Sequence, residues 1–222
     1  MELSFLTGTP LFRGLTEEET AAALKELGAY TRRYEKDEQI LHPGEPAAYM
    51  GLVLSGSVHI ESCDVWGGRS LLGRAGPGEL FAETYACLPN QPMLVGAAAA
   101  ERSEILFLSG RRLLNGGPVL TRNLLQISMR KNLGLSRRIF HTAPKTIRGR
   151  LLSYLSEQAR LNGSDQFTIP FDRRQLADYL GVDRSALSAA LSHLRAEGVL
   201  SCERSRFTLH VPQEELEGFP ER

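Results

Sequence analysis

The sequence predicts an α+β chain built from three successive pieces: an N-terminal β-barrel, one long amphipathic helix and a C-terminal winged helix-turn-helix. Three observations predict it. Residues 34–108 carry short apolar runs broken by Gly/Pro turn chemistry at intervals of roughly 8–12 residues, the pattern of a small sandwich or barrel. Residues 117–142 lose that punctuation and place apolar side chains at helical spacing. Residues 172–209 hold two capped-helix signals separated by a glycine, followed by two strand-like runs. The 222 residues are 42% hydrophobic and 23% charged, an ordinary globular composition that excludes a collagenous, disordered or purely coiled-coil chain.

The elements follow in order. Thr16 and Glu19 have capping-box spacing ahead of an apolar stretch at 21–27, which predicts a short N-terminal helix. Apolar runs at 39–41, 50–54, 58–60, 70–72, 94–100 and 104–108 are the candidate barrel strands, with Pro43-Gly44, Ser55-Gly56 and Gly76-Pro77-Gly78 as turns. In the long helix Leu125, Met129, Leu133 and Phe140 fall close to one face, while Arg130, Lys131, Arg137 and Arg138 largely face elsewhere. Pro118 and Pro144 punctuate its two ends. About seven turns, at 3.6 residues each, would outrun a barrel of such short strands. The stripe is therefore expected to be a seam between two copies of the chain more than a barrel contact. A helix at 146–161 and a short strand at 167–169 come next.

The following thirty residues are the most informative. Asp172 and Gln175 form an acidic capping box, and Leu176, Ala177 and Leu180 share a face. Gly181 stops that helix, and Asp183 can cap a second one with Leu187, Leu191 and Leu194 inward, ending at Gly198. The outward positions at its start, Arg184, Ser185, Ser188 and Ala189, are short or basic, so the helix can enter a groove about 12 Å wide. The runs at 199–201 and 207–209, joined by residues 202–206, read as a hairpin wing. Net charge is zero overall, but residues 1–118 carry −5 and residues 119–222 carry +5. A purely structural helical hairpin explains the caps but not this placement of charge. The expected partner is double-stranded DNA, with Arg184, Ser185, Ser188 and Ala189 at the bases and Arg173, Arg174, Arg204 and Arg206 at the phosphates.

Other classes find little support. Cys63, Cys87 and Cys202 are odd in number and widely spaced, against a disulfide framework or a metal cluster. The five histidines, at 42, 59, 141, 193 and 210, are scattered, unlike the clustered ligands of a cupin-type oxygenase, and no Walker or G-x-S-x-G loop is present. No catalytic residue, metal or cofactor is expected. No segment approaches the ~18 consecutive apolar residues of a membrane helix, so a cytoplasmic location away from membranes is expected.

The chain resembles the CRP/FNR family of bacterial transcription regulators. The matching residues are Leu11-Phe12 with Leu15, Gly44-Glu45-Pro46-Ala47, Leu54-Ser55-Gly56-Ser57-Val58, Gly76-Pro77-Gly78-Glu79-Leu80-Phe81-Ala82-Glu83, and the stretch 176–198. The resemblance implies a double-stranded β-helix (jelly-roll) effector domain at 1–116, a dimerisation helix at 117–143 and a winged helix-turn-helix at 144–222. It also implies a homodimer that binds DNA, with RNA polymerase and a small effector as further partners.

Departures from the family carry chemistry. Members that bind a cyclic nucleotide use a Gly-Glu pair for the ribose and, about ten residues on, an Arg-Ser pair for the phosphate. Here these fall on Ala82-Glu83 and Met93-Leu94, and no Lys or Arg lies between Arg74 and Arg102. A buried phosphate without a countercharge costs several kcal/mol. The expectation is a regulator that does not respond to cyclic nucleotides, with Phe81, Glu83, Tyr85, Met93, Leu94 and Val95 either lining a pocket for a less polar effector or forming core. The cysteine cluster of oxygen-sensing members is missing. So are the Cys and His of a heme-binding relative, which fall on Ala82 and Thr84; His42 and His59 are the remaining heme candidates. Family members commonly place Glu, Ser and Arg where this chain has Ser185, Ser188 and Ala189, which puts the usual half-site in doubt. Two alternatives stay open: a cyclic-nucleotide-responsive regulator, and a sensor whose degenerate reader acts through protein contacts.

Overall fold

Side-chain alternation along short strands dictates the first of two units into which the chain divides, Met1–Arg130 and Lys131–Arg222. The computed structural model describes residues 2–63, 69–88 and 90–211. After helices α1 (Leu3–Gly8) and α2 (Glu17–Glu26) come β1 (Tyr30–Tyr34), β2 (Gln39–Leu41), β3 (Tyr49–Ser55), β4 (Val58–Cys63), β5 (Arg69–Ala75) and β6 (Leu80–Phe81). The short helix α3 (Glu83–Cys87), strands β7 (Gly96–Ala99) and β8 (Ser103–Ser109) and helix α4 (Gly110–Leu114) complete this part. Two antiparallel four-stranded sheets result, ordered β1-β8-β3-β6 and β2-β7-β4-β5. Tyr34, Val53, Ile105 and Phe107 of one sheet pack with Ile40, Val58, Ala97 and Ala99 of the other in a single cluster, the filling of the expected jelly roll.

The apolar run at 104–108 is explained by burial on both faces. Ile105 and Phe107 point between the sheets, while Leu106 and Leu108 join Met50 and Leu52 beneath Leu6, Leu11, Phe12 and Leu24. The box at Thr16 is present, its side chain accepting the Glu19 amide and the Glu19 carboxylate accepting the Thr16 amide. Helices α1, α3 and α4 were not foreseen, since five or six residues are too few to show a period of 3.6. Gly110 begins α4 where a Cβ would lie 2.1 Å from the Ala86 carbonyl oxygen, so only glycine lets α4 approach α3 this closely.

Helix α5 runs from Pro118 to Thr142, as its proline punctuation predicts. Its first turns bury Leu120 and Leu124, and Asn123 donates to the Leu11 and Arg13 carbonyls at 2.8 Å each. The second unit contains α6 (Ile147–Asn162), β9 (Gln166–Thr168), α7 (Arg173–Leu180), α8 (Arg184–Ala196), β10 (Leu200–Glu203) and β11 (Arg206–Leu209). Leu151 and Leu155 of α6 meet Leu176, Leu180, Leu187, Leu191, Leu194 and Phe207 in its core. The wing is a three-stranded sheet, β10-β11-β9, because the short strand at 166–168 pairs with β11.

Candidate nucleic-acid interface

Local chemistry sets the two helices of the reader. Asp172 accepts the Gln175 amide at 2.8 Å while Gln175 Oε1 accepts the Asp172 amide at 2.9 Å, the reciprocal cap that opens α7. Gly181, at φ +63°, closes it in a left-handed conformation that costs glycine nothing. Ala177 is buried under α8 as its small size requires, and the leucines expected inward on α8 are all buried.

The far end of α7 is secured by residues that sequence reasoning missed. Arg138 of α5 donates to the Asp178 and Tyr179 carbonyls at 2.9 and 3.0 Å, and Arg150 of α6 donates to those of Leu180 and Gly181 at 3.2 Å each. Two cations thus hold the negative pole of α7 and its last carbonyls. Beside them His141, 1% exposed, places Nδ1 2.9 Å from the Tyr179 hydroxyl and Nε2 2.8 Å from Glu157 Oε2. Arg137 pairs with the other Glu157 oxygen at 3.2 Å. No spacing rule could have found these groups, which come from three separate helices.

At the start of α8, Asp183 caps the helix, accepting the Ser185 and Ala186 amides at 2.7 and 3.2 Å. Arg184, Ser185, Ser188 and Ala189 are all exposed, and no carboxylate pairs with the Arg184 guanidinium among the described residues. Arg174, Arg204 and Arg206 are also exposed. Arg204 sits at the wing tip with φ +51°, a conformation non-glycine residues rarely adopt. Arg173 corrects the expectation. Its Nη2 donates to Cys202 Sγ at 3.1 Å and its guanidinium lies 5.2 Å from the Phe207 ring centroid, so it is half-buried under the wing instead of facing a phosphate.

Residues 31–115 match the family model described as "Cyclic nucleotide-binding domain", and residues 149–216 match "Crp-like helix-turn-helix domain". Both matches occur in the order of the units just described. The chain belongs to the CRP/FNR family. It is a DNA-binding transcription regulator of that type. It is 28% identical over 213 residues, 95% of each chain, to the probable transcriptional regulator flp of Lacticaseibacillus casei. It is 23% identical to the cAMP-activated global transcriptional regulator CRP of Haemophilus influenzae, over 77% of this chain and 80% of that one. Among solved structures it resembles the Thermus thermophilus catabolite activator protein, at 28% identity and a TM-score of 0.52, covering 94% of this chain and 97% of that one.

The segment around α3, where the sequence departs from the nucleotide-binding pattern, mixes buried and exposed side chains. Ala82 occupies a left-handed conformation, φ +59°, where the family has glycine. Phe81 is buried with its ring against Gly51, so close that a Cβ there would lie 2.2 Å from the ring. Glu83 and Met93 are buried, and Val95 and Tyr85 are half-buried, with the Tyr85 hydroxyl accepting the Leu94 amide at 3.3 Å. Leu94 is 81% exposed and so is not core: Met93 takes the inward position and its neighbour turns to solvent. Burial first, and the Glu83 charge second, push the Cys87 thiol up and keep it protonated. Arg74, the cation preceding the cassette, is already engaged by Ser57 at 2.9 Å and Glu101 at 3.5 Å. His42 is exposed, and His59 lies 3.7 Å from Glu61. Among the described residues no cluster of His, Cys, Asp or Glu could hold a metal ion, and no helix is long and apolar enough to cross a membrane.

Proposed function

We propose that this CRP/FNR protein acts as a homodimer on a two-fold symmetric DNA site and that its barrel does not answer to cyclic nucleotides. The observation that carries the reading is the apolar face of α5. Leu125, Met129, Leu133 and Phe140 are 52–66% exposed, with Leu135 and Ile139 beside them, a stripe too apolar to remain against water. A second copy of the same helix covers it with matching chemistry. Two recognition helices about one DNA turn apart (~34 Å) then enter successive major grooves. Arg184 takes guanine O6 and N7, Ser185, Ser188 and Ala189 lie against neighbouring base edges, and Arg174, Arg204 and Arg206 take phosphates.

The case against cyclic nucleotides rests on charge and space. The cassette carries Glu83, which is buried, and apolar side chains, no Lys or Arg lies between Arg74 and Arg102 in sequence, and Arg74 itself pairs with Glu101. A less polar effector shifts the equilibrium between dimer states by its differential affinity. RNA polymerase is the further partner, the cytoplasm the place of action, and no catalytic step is assigned. The decisive test is retardation of the DNA upstream of the protein's own gene, with and without cell extract. The reading requires salt-sensitive binding by a dimer; a monomer on a sizing column, or no retardation in either condition, overturns it.

A further inference from the structure

The outward face of α8 carries three hydroxyls, and each gives its proton away within its own helix. Ser185 Oγ donates to the Asp183 carboxylate, Ser188 Oγ to the Arg184 carbonyl at 2.9 Å, and Ser192 Oγ to the Ser188 carbonyl at 3.0 Å. A hydroxyl has one proton and two lone pairs, so a serine whose proton points inward meets a partner as an acceptor. Ser185 is held hardest in that state. Its own acceptor is ionised, and such bonds are roughly twice as strong as neutral ones. The carboxylate cannot swing away to release it either, because it also takes the Ser185 and Ala186 amides that begin the helix. The same contacts, the Ser185 hydroxyl foremost, hold the Asp183 carboxyl below the usual carboxylate range.

Base edges in the major groove sort by the same property. Adenine and cytosine present exocyclic amines, which donate, whereas guanine O6 and N7 and thymine O4 accept. We infer that Asp183 is a specificity-determining residue: by accepting the hydrogen bond of the Ser185 hydroxyl it leaves Ser185 Oγ to meet a base as an acceptor, which selects adenine or cytosine beside the guanine held by Arg184. Asp183 itself touches no base. Its part is to decide which way the hydroxyl next to it is read. This inference rests on α8 being the helix that enters the groove, as proposed above.

The test is selection of bound sequences from a random duplex pool by the full-length wild-type chain and by Ser185→Ala and Asp183→Asn. Wild type is expected to prefer an amine-bearing base over a keto base about tenfold at one position adjacent to a guanine, the scale of one hydrogen bond. Ser185→Ala should recover the same motif with that single preference lost. Asp183→Asn retains an oxygen to cap α8 but not the charge, so its preference at that position should weaken severalfold while the guanine persists. A wild-type motif with guanine or thymine at that position, or an amine preference untouched by both substitutions, overturns the inference while leaving DNA reading intact. A pool from which no motif emerges at any salt concentration fails the DNA-reading proposal and this inference together.

Discussion

The tip of α8 and the cassette around α3 are both short helical starts that follow a tight turn, yet they present opposite chemistry. At α8 the turn leaves Arg184 and the serines in water with their polar atoms oriented by neighbours. Around α3, Phe81 and Glu83 are buried, Leu94 after the helix is exposed, and Arg74 pairs with Ser57 and Glu101. The difference teaches where family membership can be carried down to residues. A reader needs outward polar groups, which this chain supplies. A cyclic-nucleotide site needs a cation at the phosphate, and no Lys or Arg lies between Arg74 and Arg102 in this sequence. Perturbations at each site test whether this difference is functional.

The largest effect should come from removing one of the two readers. Met129→Glu combined with Leu133→Glu places like charges on the exposed stripe of α5, and a sizing column should show monomers. Losing the second half-site should then weaken DNA binding by about 10²–10⁴-fold, the usual worth of linked sites. A mutant that stays dimeric moves the seam away from α5. Next in size, Arg184→Ala should cost roughly 1–3 kcal/mol of discrimination per half-site and relax the sequence preference at one position. Arg204→Asn should instead weaken all sequences alike, by a few-fold, and reduce the salt slope by about 0.9 for each phosphate no longer neutralised. Its melting temperature should not fall, since asparagine accepts the left-handed tip that arginine occupies at φ +51°. If Arg204→Asn changes the motif and Arg184→Ala does not, the roles of helix and wing are reversed.

At the other end, calorimetry with cyclic AMP and cyclic GMP should show no heat. Binding tighter than about 10 μM would mean that a cation reaches the cassette from outside residues 75–101, and would erase the contrast between the two ends.

Much of the architecture was legible because it is local. The Asp172 and Asp183 caps, the Gly181 stop and the buried leucines of α7 and α8 follow from spacing alone. The charge asymmetry pointed to the correct half of the chain. What sequence could not supply is tertiary. Arg173 looks like Arg174 on paper, but one position around the helix turns it under the wing against Phe207 and Cys202. Leu94 reads as pocket or core until Met93 is seen to take the inward place. Arg138 reads as a charge facing away from the apolar stripe of α5, and only the approach of α7 reveals it, with Arg150 of α6, as a cap for the α7 carbonyls.

The smallest expected effect concerns the second unit's tolerance of acid. His141 is enclosed by Tyr154, Tyr179 and Glu157, with Arg137 behind the carboxylate and Arg138 behind the tyrosine. Burial is the largest influence and lowers its pKa from the ordinary 6.5; the Glu157 charge opposes this and Arg137 reinforces it. The imidazole is therefore neutral in the folded protein at pH values where an unfolded chain has begun to take up a proton. The unfolded state then binds more protons, so stability must fall as the pH drops through the ordinary imidazole range and down to the folded value. Unfolding midpoints in urea, followed by a signal from the second unit, should be lower at pH 5.5 than at pH 7.5. His141→Gln removes the titrating group while keeping polar atoms near Glu157 and Tyr179. It should be less stable than wild type at pH 7.5 but should lose less on acidification. If wild type gains stability at the lower pH, the Glu157 charge outweighs burial, and the joint of α5, α6 and α7 is an ion pair instead of a neutral hydrogen-bonded lock.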